Sequence, residues 1–439
     1  SISDENRKSI LDELEIAANK YRDKIYSQGF SGNKSEIKTN SITKFLKISL
    51  AYIDHSIKKN RREDGLYHSY NLIDNMENNS LSIRYLYKML EGQVAVLSSG
   101  YLSFEESDKV LATLRNSDLY REDQNTYLLY PDRKLPRFTE KNNIPREELE
   151  KSKLLKEMLH NNDDRIVKKD NSGGVHFKGT LRNAQVLKEA LNEVSNSQDY
   201  YSDFMSKESD IILQIYENIF DHQSFTGRSG TFYKYEGLGS TYWHMVSKLL
   251  LATGEIYHKA VDQNVDEYYI KKLKSRYYEI KAGIGVSKSP ELYGAFPTDA
   301  YSHTPSWGGA QQPGLTGQVK EDFLSRFKEL GVLVKDGKIS FNNSLLKKEE
   351  FLPEKDKFTY YNASNHKLSI ELDKDNLAFT IAQVPVIYTN STEAKIIVTY
   401  KYNETETIPG NTLDKKVSSD ILDRTGKIEH IEVLFSDKN

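Results

Sequence analysis

Apolar residues recur at helical spacing through roughly the first 350 positions, and near Pro353 that pattern gives way to short β-branched and aromatic runs. This switch of period is the strongest constraint on the fold. Ile10, Leu14, Ala17, Ala18, Tyr21 and Ile25 predict one helix, and Ile42, Phe45, Leu46, Ser49, Ala51, Ile53 and Ile57 a second. A third is expected from about Ser80, through Ile83, Leu86, Tyr87, Leu90, Val94 and Leu97. Ser103 starts a fourth as N-cap, with Glu106 closing a capping box. Further helices are expected near 147–160, 180–195, 202–220, 240–260, 262–281 and 317–331. Beyond Pro353, the runs Phe358–Tyr361, Lys367–Leu372, Leu377–Tyr388, Ala394–Tyr402 and Ile428–Phe435 are separated by Asn, Asp, Gly and Pro. They predict a small antiparallel, β-sandwich-like domain over residues 354–439.

The segments 119–145, 221–240 and 282–316 are too long for simple connectors and are dense in Gly, Pro and aromatic residues. Loops of that length inside a compact domain usually carry function. Helices with long loops gathered at one end suggest an α/α toroid over residues 1–353, its loops lining a cleft. The net charge of −3 gives no footprint for a nucleic-acid partner. The chain has no cysteine, so disulfides, thiolate catalysis and Cys-ligated zinc are excluded, and no HExxH-type spacing suggests another metal site. No run of about 18 apolar residues predicts a membrane span. The compartment stays open, with the cytoplasm favoured over export. The 29 tyrosines have two readings. Flat rings with hydroxyls suit glycan clefts, and the same excess fits a chain biased toward Lys, Asn and Ile.

Four segments could carry chemistry. In the first, Arg61 to Asn71, Asp64 is a candidate proton donor to a glycosidic oxygen, with Tyr70 close by for a sugar. The competing reading makes Asp64-Gly65 a turn after a helix whose C-terminus faces Arg61 and Arg62. In the second, Tyr120 to Phe138, Asp132 and Arg133 suit hydrogen bonding to sugar hydroxyls; an ordered Ω-loop is the alternative. The third runs from His222 to His244. Its glycines let backbone N–H groups approach an anion, Arg228 and Lys234 add charge, and Glu236, Trp243 and His244 complete a candidate site. The fourth, Tyr293 to Gly317, holds His303, Trp307, Gln311 and Gln312 as candidate sugar contacts, and Thr316-Gly317 opens a helix where an anion is favoured.

Taken in order, these segments resemble the cellobiose-phosphorylase-like glycoside phosphorylases and the related cyclic-glucan synthase domains. Asp64-Gly65-Leu66 is similar to the end of the family's Asp-Trp-Asn-Asp-Gly-Leu segment, which bears the general acid. Ser229-Gly230-Thr231-Phe232-Tyr233-Lys234 resembles its Gly-Gly-Ile-Phe-x-His segment, with Trp243 following as a Trp follows there. Asp299-Ala300-Tyr301 through Leu315-Thr316-Gly317 resembles its Glu-Pro-Tyr to Trp-Leu-Thr-Gly stretch, whose Thr-Gly touches phosphate. Lys335 to Ile339 resembles the short strand pair that leads to its C-terminal β domain.

The resemblance implies a six-hairpin (α/α)6 toroid and an inverting phosphorylase acting on β-glucosides or β-glucans. Inorganic phosphate would be its co-substrate, with no other cofactor. Arg228, Lys234, Thr316 and Gly317 would hold phosphate, with Asp64 as the acid; Asp64 and Glu236 are the candidate catalytic pair if the chain is instead an inverting hydrolase, which needs two carboxyl groups. The departures are specific. Arg61 and Arg62 stand where the family has Asp and Trp, and Lys234 where it has a phosphate-contacting His. The family's N-terminal β-sandwich has no counterpart, which implies the C-terminal part of a longer protein. An inverting hydrolase and a non-catalytic glycan-binding module are the alternatives.

Overall fold

The computed structural model describes residues 2–76, 79–131, 137–197, 201, 205–220, 241–284 and 318–436. Helix accounts for about 47% of it and the sheets are small, so the protein is mainly α. In chain order the helices are α1 (Asp4–Gln28), α2 (Thr39–Lys59), α3 (Leu90–Ser98), α4 (Phe104–Arg115), α5 (Phe138–Lys141), α6 (Arg146–Leu149), α7 (Lys153–His160), α8 (Ala184–Asn196), α9 (Met205–Phe220), α10 (Trp243–Asp262), α11 (Glu267–Lys281), α12 (Gln318–Glu329) and α13 (Lys415–Leu422). The strands are β1 (Asn71–Met76), β2 (Leu81–Tyr85), β3 (Tyr120–Arg121), β4 (Thr126–Tyr127), β5 (Val167–Lys169), β6 (Val175–Phe177), β7 (Val332–Lys335), β8 (Lys338–Phe341), β9 (Asp356–Tyr361), β10 (Lys367–Leu372), β11 (Asn376–Ile381), β12 (Val384–Ser391), β13 (Lys395–Tyr400), β14 (Thr405–Pro409) and β15 (Ile428–Ser436). The capping box at Ser103 and Glu106 is present. The helix expected from Ser80 starts only at Leu90. The residues before it include β2, which pairs antiparallel with β1, Met76 opposite Leu81.

The chain divides into two compact units. The first comprises Ser1–Ser41, His68–Met89 and Leu128–Thr241. Its core is built from apolar stripes at helical spacing: Leu154, Leu155 and Met158 on α7, Leu187, Leu191 and Val194 on α8, and Ile212, Ile215 and Tyr216 on α9. Phe177 from the β5–β6 hairpin packs edge-on against Tyr216. Two buried polar side chains hold the pieces in register. Glu208 on α9 accepts from Ser152 Oγ at 2.6 Å and from the Leu154 backbone N–H at 3.3 Å, and so caps α7 from another helix. Asn142 pairs with Phe177 through both its side-chain oxygen and its nitrogen, as a strand backbone would.

His176 faces two acceptors in the same unit. Nδ1 bonds the Asn142 carbonyl, and Nε2 lies 2.9 Å from Asp170 Oδ2. With an acceptor at each nitrogen the ring donates twice, which requires the imidazolium. The Asp170 carboxylate, then the Asn142 carbonyl, raise its pKa above the ordinary histidine value. A raised folded pKa gives stability that is fully present below the unfolded value and lost as pH rises through the folded one. His176→Gln should therefore cost a few degrees of melting temperature at about pH 5.5 and little at about pH 8.5, read by thermal melts at both pH values.

The second unit comprises Ile42–Tyr67, Leu90–Tyr127 and Tyr242–Asn439. Its central element is α10, which buries residues on every face and packs against α3, α11 and α12. Gly254 permits the close approach of α11, since a Cβ there would sit 3.1 Å from the Tyr277 ring. After α12 the chain forms the β7–β8 hairpin through Asp336 and Gly337, both at positive φ, as the resemblance implied for this stretch. The C-terminal strands follow the predicted runs closely. The single run Leu377–Tyr388, however, is two strands, β11 and β12, turned at Ala382-Gln383. The five-stranded sheet has the order β11-β12-β15-β13-β14 and is mixed rather than wholly antiparallel. After β14 the chain passes through α13 and returns as β15, which inserts between β12 and β13, parallel to the first and antiparallel to the second. The core beneath this sheet reaches back across Pro353 to Leu330, Val332, Ile339 and Phe341.

Candidate active site at the heads of two helices

Segments 221–240 and 285–317 each end where a helix of the second unit begins, α10 in one case and α12 in the other. The residues at those helix heads are therefore the described part of the candidate site. Arg228, Lys234, Glu236, His303, Trp307, Gln311, Gln312, Thr316 and Gly317 lie outside the described residues, as do Asp132 and Arg133.

The head of α12 inverts the usual amphipathic arrangement. Glu321, Ser325 and Glu329, spaced four residues apart, are 2%, 3% and 2% exposed, while Phe323 and Leu324 face solvent at 62% and 42%. Buried polar residues are the informative exception to the inside–outside rule. Glu329 has a structural reason. It accepts from Tyr277 Oη at 2.7 Å and pairs with Lys281 and Arg326 at 2.6 and 2.7 Å. Burial pushes its carboxyl up, but these three partners outweigh that and hold it below the ordinary range.

The other end of the stripe is different. His244 Nε2, from the first turn of α10, lies 3.1 Å from Glu321 Oε1 but off the hydrogen-bond direction. Its Nδ1 lies 3.5 Å from Tyr242 Oη, with the two rings edge to face. Ser247 Oγ, one turn further along α10, donates to Asp322 Oδ1 at 3.1 Å. Burial, reinforced by the adjacent Glu321 charge, raises the Asp322 carboxyl above the ordinary range against the pull of Ser247. Ser325 Oγ is buried without a hydrogen-bond partner among the described residues. The contact between α10 and α12 thus holds two carboxylates (Glu321 and Asp322), the His244 imidazole and the hydroxyls of Tyr242 and Ser247 in partly desolvated surroundings, a setting that suits proton transfer.

The remaining predicted residues have simpler surroundings. Asp64 sits in a turn after α2, with Gly65 at φ +83°. Its carboxylate accepts from Arg62 Nε and Nη2 at 3.1 and 3.0 Å and from the Leu66 backbone N–H at 3.1 Å. Tyr67 is locked in place by Gln93, which exchanges two bonds with its backbone. Tyr70 is 39% exposed and its carbonyl accepts from the Leu86 N–H ahead of β1. Trp243, the first residue of α10, is 1% exposed. Glu321 and Asp322 were missed by sequence reasoning, although the four-residue spacing of Glu321, Ser325 and Glu329 was the available signal.

Comparison with known families gives one finding. Residues 135–223 match the GH149 phosphorylase insertion domain 2. That segment spans α7, α8 and α9, whose apolar residues form one core cluster from Ile144 to Phe220. No curated protein matches the chain. The match supports a carbohydrate-active protein related to glycoside phosphorylases. Among the described residues no helix is long and apolar enough to cross a membrane.

Proposed function

We propose that the chain belongs to a glycoside phosphorylase that transfers a glycosyl unit from an oligosaccharide or β-glucan to inorganic phosphate with inversion. The observation that carries the reading is the phosphorylase insertion domain matched at residues 135–223. In the sequence it is followed by segment 221–240 and then by α10, which carries His244. In this proposal the helices of the second unit belong to an (α/α)6 toroid. Arg228, Lys234, Thr316 and Gly317 cradle phosphate, and Tyr70, Asp132, Arg133, His303, Trp307, Gln311 and Gln312 contact sugar.

The proton donor to the leaving oxygen is Asp322, whose raised carboxyl suits a general acid. Asp64, bonded by Arg62, competes for that role, and Glu236 stands as a further carboxylate. Trp243, being buried at the head of α10, serves packing rather than stacking on substrate. Phosphate then attacks the anomeric carbon from the opposite face as the leaving oxygen takes the proton, releasing a sugar 1-phosphate.

The test is phosphorus NMR of the full chain incubated with β-linked glucosides and glucans plus phosphate. A sugar 1-phosphate signal is expected. Reducing sugar released without phosphate would instead identify a hydrolase. Saturable glycan binding with neither product would identify a binding module.

A further inference from the structure

Four turns of the C-terminal β region meet around one cavity of about 270 Å³. They are the β9–β10 turn at Asn362, the β11–β12 turn at Gln383, the β13–β14 loop at Lys401 and Tyr402, and the α13–β15 loop at Arg424. We propose that this cavity is a second carbohydrate-binding site, taking one or two units of a neutral oligosaccharide with Tyr402 as its stacking platform.

Three observations support it. Tyr402 is 95% exposed, yet its backbone is held at φ +73°, ψ +22°, a conformation unfavourable for a side-chain-bearing residue. The loop around it is pinned at both ends, since Lys401 N–H bonds the Lys427 carbonyl at 2.9 Å and Tyr400 N–H bonds the Glu404 carbonyl at 2.8 Å. A rigid loop that spends strain to hold an aromatic ring in water is a common property of binding sites. The same cavity collects further non-glycine residues at positive φ, Gln383 at +71° and Arg424 at +51°.

The lining fixes the ligand class. A tyrosine ring offers a flat face to the apolar C–H face of a sugar ring. Lys401 and Arg424 carry no ion pair among the described residues, so their N–H groups are available to hydroxyl oxygens. Glu429 and the Gln383 amide supply acceptors for hydroxyl protons, as the Gln383 nitrogen is already committed to the Asn362 carbonyl at 3.1 Å. Donors and acceptors in one lining suit a polyhydroxyl ligand better than an anion. A cavity slightly below the range of about 300–1,000 Å³ usual for small-molecule clefts fits one or two sugar units rather than a long chain.

The inference is independent of the phosphorylase reading, and binding rather than turnover tests it. Isothermal titration of the full chain with maltotetraose and with cellotetraose should show saturable binding of at least one, with inorganic phosphate as the anion control. Tyr402→Ala should weaken that binding about tenfold, since stacking on one ring is worth about a factor of ten in affinity. Tyr402→Trp should keep it. Tyr402→Gly should lose it without lowering the melting temperature, because glycine relieves the positive φ. The proposal is overturned if neither tetrasaccharide binds, if both Tyr402→Ala and Arg424→Ala leave the affinity unchanged, or if phosphate binds and the sugars do not. Sugar 1-phosphate formation that survives Tyr402→Ala separates this site from the catalytic one.

Discussion

Gly331→Ala is expected to destabilise the second unit by at least about 3 kcal/mol, the sum of a backbone penalty and a steric one. Gly331 follows α12 at φ +66°, the left-handed residue that ends the helix. Its N–H bonds the Lys328 carbonyl at 2.9 Å, and its own carbonyl accepts from Asn342 N–H at 2.9 Å. A Cβ there would lie 1.5 Å from the Asn342 carbonyl oxygen, so the end of α12 and the chain leaving β8 must separate. That separation reaches Leu330 and Phe341, both in the core under the C-terminal sheet. Gly337→Ala is the control. It has a comparable φ of +75° but open space around the added carbon, so it should cost only about 1 kcal/mol. Thermal melts of both variants separate the two contributions. Equal losses would show that the contact between α12 and β8 carries no weight.

The position of Gly331 shows what kind of information the sequence exposes. A helix over 317–331 with glycine at its end is written in local residue preferences, and so is the hairpin at Asp336-Gly337. The β-branched runs after Pro353 were legible for the same reason. The order of the strands was not, because β15 inserts between β12 and β13 only after the long excursion through β14 and α13. Long-range pairing leaves no mark on local period. The stretch after Ser80 misled in the opposite way. Ile83, Leu86, Tyr87 and Leu90 sit at helical spacing by accident of two adjoining elements, β2 and α3.

The candidate site divides along the same line. Gly-rich and aromatic residues in segments 221–240 and 282–316 suggested where chemistry could reside, and the helices that follow these segments in the sequence, α10 and α12, carry the polar cluster. Trp243 had the right composition for sugar binding, but burial at the start of α10 gives it a packing task. Glu321 and Asp322 look like ordinary surface acids in the first turn of a helix. Only the packing of α12 against α10 makes one of them almost inaccessible and raises the pKa of the other.

Asp322→Asn should accordingly lower the rate of sugar 1-phosphate formation by about 10²- to 10⁴-fold, the usual contribution of a positioned general acid. The fold should not suffer. Asparagine keeps an acceptor for Ser247 Oγ, and it removes a carboxylate that burial makes costly to ionise. For a carboxyl raised above its unfolded value, the native state binds its proton more tightly. Ionisation therefore opposes folding as pH rises from the unfolded value through the native one. The variant should then melt no lower than the parent at neutral pH while losing activity, the pattern expected where a group is held for chemistry rather than stability. The pH profile supplies the second signature. If Asp322 donates the proton, kcat/KM of the parent falls on the alkaline side as its carboxyl ionises, and the residual activity of Asp322→Asn lacks that limb. Asp64→Asn decides between the two candidates. A large loss there, with a nearly normal Asp322→Asn, would move the acid to the turn after α2 and leave the Asp322 and Ser247 pair as a packing contact between α10 and α12.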